Sequence, residues 1–164
     1  MLKNIIVAFL VLSSTIATAQ IKNADYQEML DNLYQHNVPL ISVDSLKQLK
    51  NVYVLDTRED NEFEVSHLKS ARNVGYIWFD MRKVMDIPKN ATIVVYCSIG
   101  YRSEKIGEKL LKNGYANVYN LYGGIFEWVN QHNPVYKSNG VQTSEIHIYD
   151  KKWAQWVSHG TKVL

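Results

Sequence analysis

Apolar and polar positions alternate along the chain in short runs that switch between two periods. Tyr26, Met29, Leu30 and Leu33 recur at helical spacing and predict a helix over Ala24 to Tyr34, with Asp25 placed to cap it. Val38 to Ile41 is a short strand or extended lead-in. Ser42 is placed to cap a second helix reaching Lys50, with Val43, Leu46 and Leu49 inward. Val52 to Leu55 is a buried strand that ends at Asp56, Glu62 to Val65 one helical turn, and Ala71 to Val74 short and extended. Ile77, Met81, Val84 and Met85 again have helical spacing. Pro88 and Asn90 break the chain before Thr92 to Tyr96, the most strand-like run present. Cys97 to Arg102 reads as a loop, and Ser103 to Asn113 as a helix closed by Gly114. Val118 to Leu121 is a further strand, and Gly123-Gly124 opens a helix carrying Ile125, Trp128 and Val129. Strands alternating with helices predict an α/β fold with a central, mainly parallel sheet and helices on both faces.

The two ends depart from this rhythm. After Pro134, Tyr136 to Gly140 reads as a linker, Glu145 to Tyr149 alternates like an edge strand, and Asp150 is placed to cap a short helix with Trp153, Trp156 and Val157. This stretch is too short for its own core and is expected to pack on the domain as an extension. At the other end, Lys3, the apolar run Ile5 to Leu12 and the small residues Ala17-Thr18-Ala19 form an export-signal pattern. The run is too short for a permanent membrane span. Cleavage after Ala19 is expected to leave a chain starting at Gln20, periplasmic or secreted, with no stable membrane insertion. The expected organisation is a signal peptide over 1–19, a helix and lead-in over 20–41, a domain over 42–135 and an extension over 136–164.

Composition narrows the function. The 164 residues are 46% hydrophobic and 21% charged, enough for one domain that buries roughly two-thirds of its unfolded surface. The net charge of +2 is a near-balance of 18 basic and 16 acidic residues, with no Lys/Arg block, which argues against a nucleic-acid partner. One Cys excludes an internal disulfide and any multi-cysteine metal site. The five His residues show no metal-ligand spacing, so no metal is expected.

That Cys carries the candidate chemistry. Cys97 lies where a buried strand ends, followed by Gly100 and Arg102 and then a helix start at Ser103. A tight loop around a strand-end sulfur turns backbone N–H groups inward as an anion nest, and the helix start adds a positive dipole end. Both features, with the Arg102 charge, are expected to favour a thiolate and hence a nucleophile. Gly100 gives the loop its backbone freedom.

Cys97-Ser98-Ile99-Gly100-Tyr101-Arg102-Ser103 resembles the active loop, C-x-x-G-x-R-S, of the single-domain rhodanese-like sulfurtransferases. Val54 to Arg58, Glu62-Phe63, His67-Leu68 and Ala71-Arg72-Asn73 are similar to that family's N-terminal signature. Tyr122-Gly123-Gly124, Trp128 and Asn133-Pro134-Val135 are similar to its ending. The resemblance covers roughly Ser42 to Val135. Ser66, Lys69 and Ser70 depart from the usual Gly, Pro and Gly, and Gly75 stands where Pro is common, in what reads as a surface turn.

The resemblance implies a catalytic Cys97 and an active loop of Ser98, Ile99, Gly100, Tyr101, Arg102 and Ser103. Arg102 would hold an anionic donor or fix the loop, and Arg58 is a weaker candidate for the same work. Asp56 would anchor the scaffold and His67 would make structural hydrogen bonds. Tyr101 and Ile99 are expected to be exposed at the loop's mouth. The implied partners are a small-molecule sulfur donor and a thiol or cyanide-like acceptor, a protein thiol included, with no cofactor. Four residues separate Cys97 from Arg102, against five in the related phosphatases, and the tighter ring favours sulfane sulfur over phosphate. A sulfur- or redox-sensing module without turnover, an arsenate reductase and a phosphatase-like enzyme are the alternatives.

Overall fold

The computed structural model describes residues 21–164, so the expected signal peptide and the Gln20 start lie outside the described residues. Five parallel strands, β1 (Leu40–Ile41), β2 (Val52–Asp56), β3 (Arg72–Asn73), β4 (Thr92–Tyr96) and β5 (Asn117–Leu121), form the central sheet in the order β1-β5-β4-β2-β3. The centre of the sheet is built on β4, whose side chains alternate between two cores. Ile93 and Val95 join Leu55 and Val118 on one face, under Ile106 and Leu110 of α4 (Tyr101–Lys112). Val94 and Tyr96 join Ile41 and Leu121 on the other. That second face is covered by α1 (Ala24–Leu33), α2 (Val43–Gln48) and α5 (Gly124–Asn130), through Tyr26, Leu30, Val43, Leu46, Ile125 and Phe126. The short α3 (Asp60–Val65) follows β2. The expected α/β architecture with helices on both faces is present.

Several local expectations are corrected. Asn23, not Asp25, caps α1, its side chain accepting from Tyr26 N at 3.0 Å. The segment from Ile77 to Met85 contains only a 3-10 turn at Met81–Val84. Asp80 caps that turn, Val84 alone is buried, and Ile77 and Met85 stand in solvent. Four apolar residues at helical spacing do not make a helix when only Val84 and, in part, Met81 find a core. α4 begins at Tyr101, earlier than Ser103, because Gly100 at φ +100° ends the loop and its carbonyl accepts from Glu104 N. Ser66 is fully buried rather than in a surface turn: its hydroxyl donates to Glu145 O at 2.6 Å, while Lys69 and Ser70 are exposed.

The C-terminal stretch forms two small sheets beside the main one. β6 (Val135–Tyr136) pairs antiparallel with β7 (Gln142–Thr143), so the expected linker is the turn of a hairpin. β8 (Glu145–His147) is not an edge of the main sheet; it pairs parallel with β9 (Thr161–Val163). The tryptophan segment is a 3-10 helix, Lys151–Trp156, capped by Asp150 as expected. Ile146, Ile148 and Val157 are buried in the same core as α1, and Trp156 stacks on Tyr26 with ring centroids 5.3 Å apart.

Candidate active site

Cys97 follows β4 at the C-terminal end of the parallel sheet, where crossover loops leave room for a ligand. Its carbonyl and those of the next three residues all have protein donors. Ile125 N donates to Cys97 O at 2.9 Å and Phe126 N to Ser98 O at 3.2 Å. The Tyr34 hydroxyl donates to Ile99 O at 2.5 Å. Gly100 O accepts from Glu104 N at 3.0 Å and from the Asn120 side-chain amide at 2.9 Å. With its carbonyls tied to the scaffold, the loop turns N–H toward the sulfur, and Gly100 N–H reaches Cys97 Sγ at 3.1 Å. The close approach of α5 requires Gly124: a Cβ there would stand 2.4 Å from Cys97 O and 2.6 Å from Ser98 O.

Arg102 closes the loop. Its two terminal nitrogens grip both carboxylate oxygens of Glu62 at 2.6 and 2.7 Å, and Nη2 also donates to the Ser98 hydroxyl at 3.1 Å. Ser98 in turn donates to Glu62 Oε1 at 3.2 Å. Burial pushes the Glu62 carboxyl up, but the bonds and charge of Arg102, with Arg58 behind, outweigh it and hold the group below the usual carboxylate range. Burial alone would lower the Arg102 guanidinium; Glu62 and the neighbouring Cys97 raise it instead. The charge expected to serve the sulfur is thus shared with a buried carboxylate. Ser103 sits at the loop's exit, its hydroxyl 2.7 Å from Asn120 Oδ1 and 3.1 Å from Gly100 O.

Above the loop lies a cavity of about 410 Å³ with Cys97, Ser98 and Ile99 among its lining residues. Tyr101 and Arg102 come from α4, Glu59 from the N-terminal cap of α3, and Tyr76 and Ile77 from the segment after β3. Leu33 of α1 and Tyr149 and Trp153 of the C-terminal extension complete the wall. Tyr101 is exposed at the mouth as expected. Ile99 is not: it is buried, turned toward the α1 core.

Residues 42–131, more than half of the chain, match the rhodanese-like domain family. The chain belongs to that family. A tRNA uridine(34) hydroxylase of the Aster yellows witches'-broom phytoplasma is 28% identical over 158 residues, covering 88% of this chain and 48% of the relative. The uncharacterized protein YqhL of Bacillus subtilis is 35% identical over 79 residues, 48% of this chain and 62% of the relative. The chain thus spans about half to three-fifths of the length of these relatives. Among solved structures, a thiosulfate sulfurtransferase from Pseudomonas aeruginosa superposes with a TM-score of 0.59 at 16% identity, over 71% of this chain and 23% of that one. At that identity the likeness concerns the fold.

Within this rhodanese-like domain, Asp56 and Arg58 do not reach the cavity. They form a fully buried ion pair, Arg58 Nη2 lying 2.6 Å from Asp56 Oδ2 and 2.6 Å from Ser66 O. The weaker role considered for Arg58, holding an anionic donor, is therefore corrected: its guanidinium is spent on Asp56 and the turn at Ser66. Its Nη1 is buried without a hydrogen-bond partner and lies near the face of Tyr96, the guanidinium carbon 5.8 Å from the ring centroid. His67 Nδ1–H donates to Phe63 O, 3.1 Å away, and the ring stacks on that of Phe63. Two participants escaped the sequence reading. Glu62 stood in the family signature as the Glu before Phe63, with nothing to pair it to Arg102 forty positions on. Tyr34 read only as the end of an amphipathic helix.

Proposed function

We propose that the protein is a sulfurtransferase that moves a sulfane sulfur from a small donor, with thiosulfate as the test donor, to a thiophilic acceptor through a persulfide on Cys97. The observation that carries this reading is the Gly100 N–H on Cys97 Sγ, in a loop whose carbonyls are all held away from the sulfur. Cys97 Sγ, as thiolate, attacks the outer sulfur of thiosulfate. The Sγ–S bond forms, the donor's S–S bond breaks, and sulfite leaves with the electron pair. An acceptor nucleophile then attacks the outer persulfide sulfur, and Sγ leaves as thiolate. This is covalent catalysis with ping-pong kinetics. Loop N–H groups stabilise the terminal sulfur anion, and the Arg102–Glu62 clamp keeps the ring closed.

The RNA substrate named for the phytoplasma relative is not carried over, because a near-balanced charge without a basic block offers RNA no electrostatic footprint. Export before the chain acts belongs to the same proposal. N-terminal sequencing of envelope or extracellular material should return Gln20, and recovery of Met1 would refute it.

Intact mass after incubation with thiosulfate should show one added sulfur atom, and cyanide should then yield thiocyanate over many turnovers. Cys97→Ser should abolish both while leaving the melting temperature nearly unchanged. If wild type gains sulfur but never turns over, the sensing-module reading replaces this one.

A further inference from the structure

Resting on that reading, we infer that the cavity over Cys97 selects an uncharged organic thiol with an aromatic body as the acceptor, in preference to cyanide or a sulfur oxyanion. Size is the starting point. A cavity of about 410 Å³ falls in the range of about 300–1,000 Å³ that organic ligands fill, and an inorganic anion would leave most of it to water. Its walls are apolar and aromatic: Leu33, Tyr76, Ile77, Tyr101, Tyr149 and Trp153. Ile77 and Tyr149 are 69% and 55% exposed, so apolar area now facing water would be covered by a ligand rather than by the fold. Flat rings on several sides suit a flat ring between them.

Charge points the same way. Arg102 is the single cation among the described lining residues, and both its terminal nitrogens are committed to Glu62 at 2.6 and 2.7 Å. The acidic lining residue is Glu59, whose Oε1 accepts from Ile77 N at 3.1 Å. An entering anionic acceptor would find the one lining cation already matched by buried Glu62 and would face the Glu59 carboxyl group on the wall. A neutral thiol body meets no such opposition and delivers its sulfur to the loop at the floor.

The elements that make this wall lie partly outside residues 42–131. Leu33 belongs to α1, and Tyr149 and Trp153 to the C-terminal extension. Acceptor choice is thus assigned to the segments added to the family's domain, while the loop carries the chemistry.

The transfer balances without an outside oxidant. The acceptor thiolate attacks the outer sulfur of the Cys97 persulfide; the new S–S bond forms as the Sγ–S bond breaks, and Sγ departs with the electron pair. The proton released by the acceptor thiol ends on the product, an organic persulfide, or on Cys97. Run backward, the same step lets the persulfide of such a thiol reload Cys97, with the free thiolate as leaving group.

The test compares phenylmethanethiol with 2-mercaptoethanol as acceptors, per thiolate present, on protein first loaded with sulfur from thiosulfate or inorganic polysulfide. We expect kcat/KM to favour phenylmethanethiol by at least about tenfold. Trp153→Ala should cut that ratio about tenfold, mainly through KM, and Ile77→Ser, at an exposed position where folding is not at stake, by about threefold. A ratio near one in wild type, or a ratio untouched by both substitutions, overturns the proposal. The persulfide chemistry is judged separately by the added sulfur mass. If no donor loads Cys97, binding still decides the proposal: in Cys97→Ser, phenylmethanethiol should bind by calorimetry and 2-mercaptoethanol should not. Equal or absent binding of both overturns it.

Discussion

Arg102 and Glu62 are best understood as one unit, because neither is fit for its position alone. A buried carboxylate without its guanidinium is costly, and the guanidinium without its carboxylate would swing free of the loop. Arg102→Ala should therefore lower transfer roughly ten- to several-hundred-fold, the range for losing a charge-assisted contact. It should also lower the melting temperature, because Glu62 is left unpaired at 2% exposure. Arg102→Met combined with Glu62→Gln should recover stability but not rate; recovery of both would mean that the pair only holds the fold. Acid has a predictable sign here. The Glu62 carboxyl is held below its unfolded value of about 4.3, so its contribution to stability is present above about pH 4.3 and lost as pH falls through the folded value. A melting series from pH 6 to pH 3 should steepen at the acid end for wild type and be flatter for Glu62→Gln. Asp56 and Arg58 make the same case without any catalytic component. Arg58→Ala should cost about 3–5 kcal/mol through the orphaned Asp56, measured by denaturant unfolding.

At the level of elements, α1 does more than cover a sheet face. Tyr34 at its C-terminal end donates to Ile99 O and accepts from Gly123 N at 3.2 Å, joining the Cys97 loop to the start of α5. A Cβ on Gly100 would fall 2.0 Å from that hydroxyl, so glycine is required by Tyr34 as well as by φ. Tyr34→Phe should cost about 1–3 kcal/mol and lower kcat more than it raises KM, since the loop loosens while the cavity keeps its shape. β8 carries a second dependence. His147 Nδ1 accepts from Tyr149 N at 3.0 Å, and burial depresses its protonation; Glu62 opposes that shift, while Arg58 and Arg102 add to it. The neutral ring's contribution is present above about pH 6.5 and lost as pH falls through the lower folded value. Amide exchange over residues 145–149, corrected for intrinsic rates, should be faster at pH 5 than at pH 7; equal protection would refute the link. These elements also show what the sequence made legible. The strand β4 and the loop after it were readable because a continuous apolar run ended in Cys, Gly and Arg. The 3-10 turn at Met81–Val84 and the β8–β9 pairing were not, since both depend on which neighbours arrive. Glu62 and Tyr34 were visible as residues, but their partners lie 40 and 65 positions away.

Considered whole, the molecule has its Cys97 loop at the end of the central sheet and part of the cavity wall above it drawn from α1 and the C-terminal extension. Deleting Glu145 to Leu164 uncovers Tyr26 and removes the buried Ile146, Ile148 and Val157, and should lower the melting temperature by about 10 °C or more. An unchanged melting curve with loss of a bound partner would instead make the tryptophans a docking patch. The sheet order also carries a consequence for how the chain is made. β1, the first strand of the central sheet in chain order, pairs only with β5, the last of its five: Leu40 lies opposite Asn120 and Ile41 opposite Leu121. Until some eighty further residues have been synthesised, the leading strand has no neighbour to bond. Closure of the sheet is thus a late, long-range event, slow by its topology. A nascent chain of this design keeps its central sheet open on one side until β5 arrives.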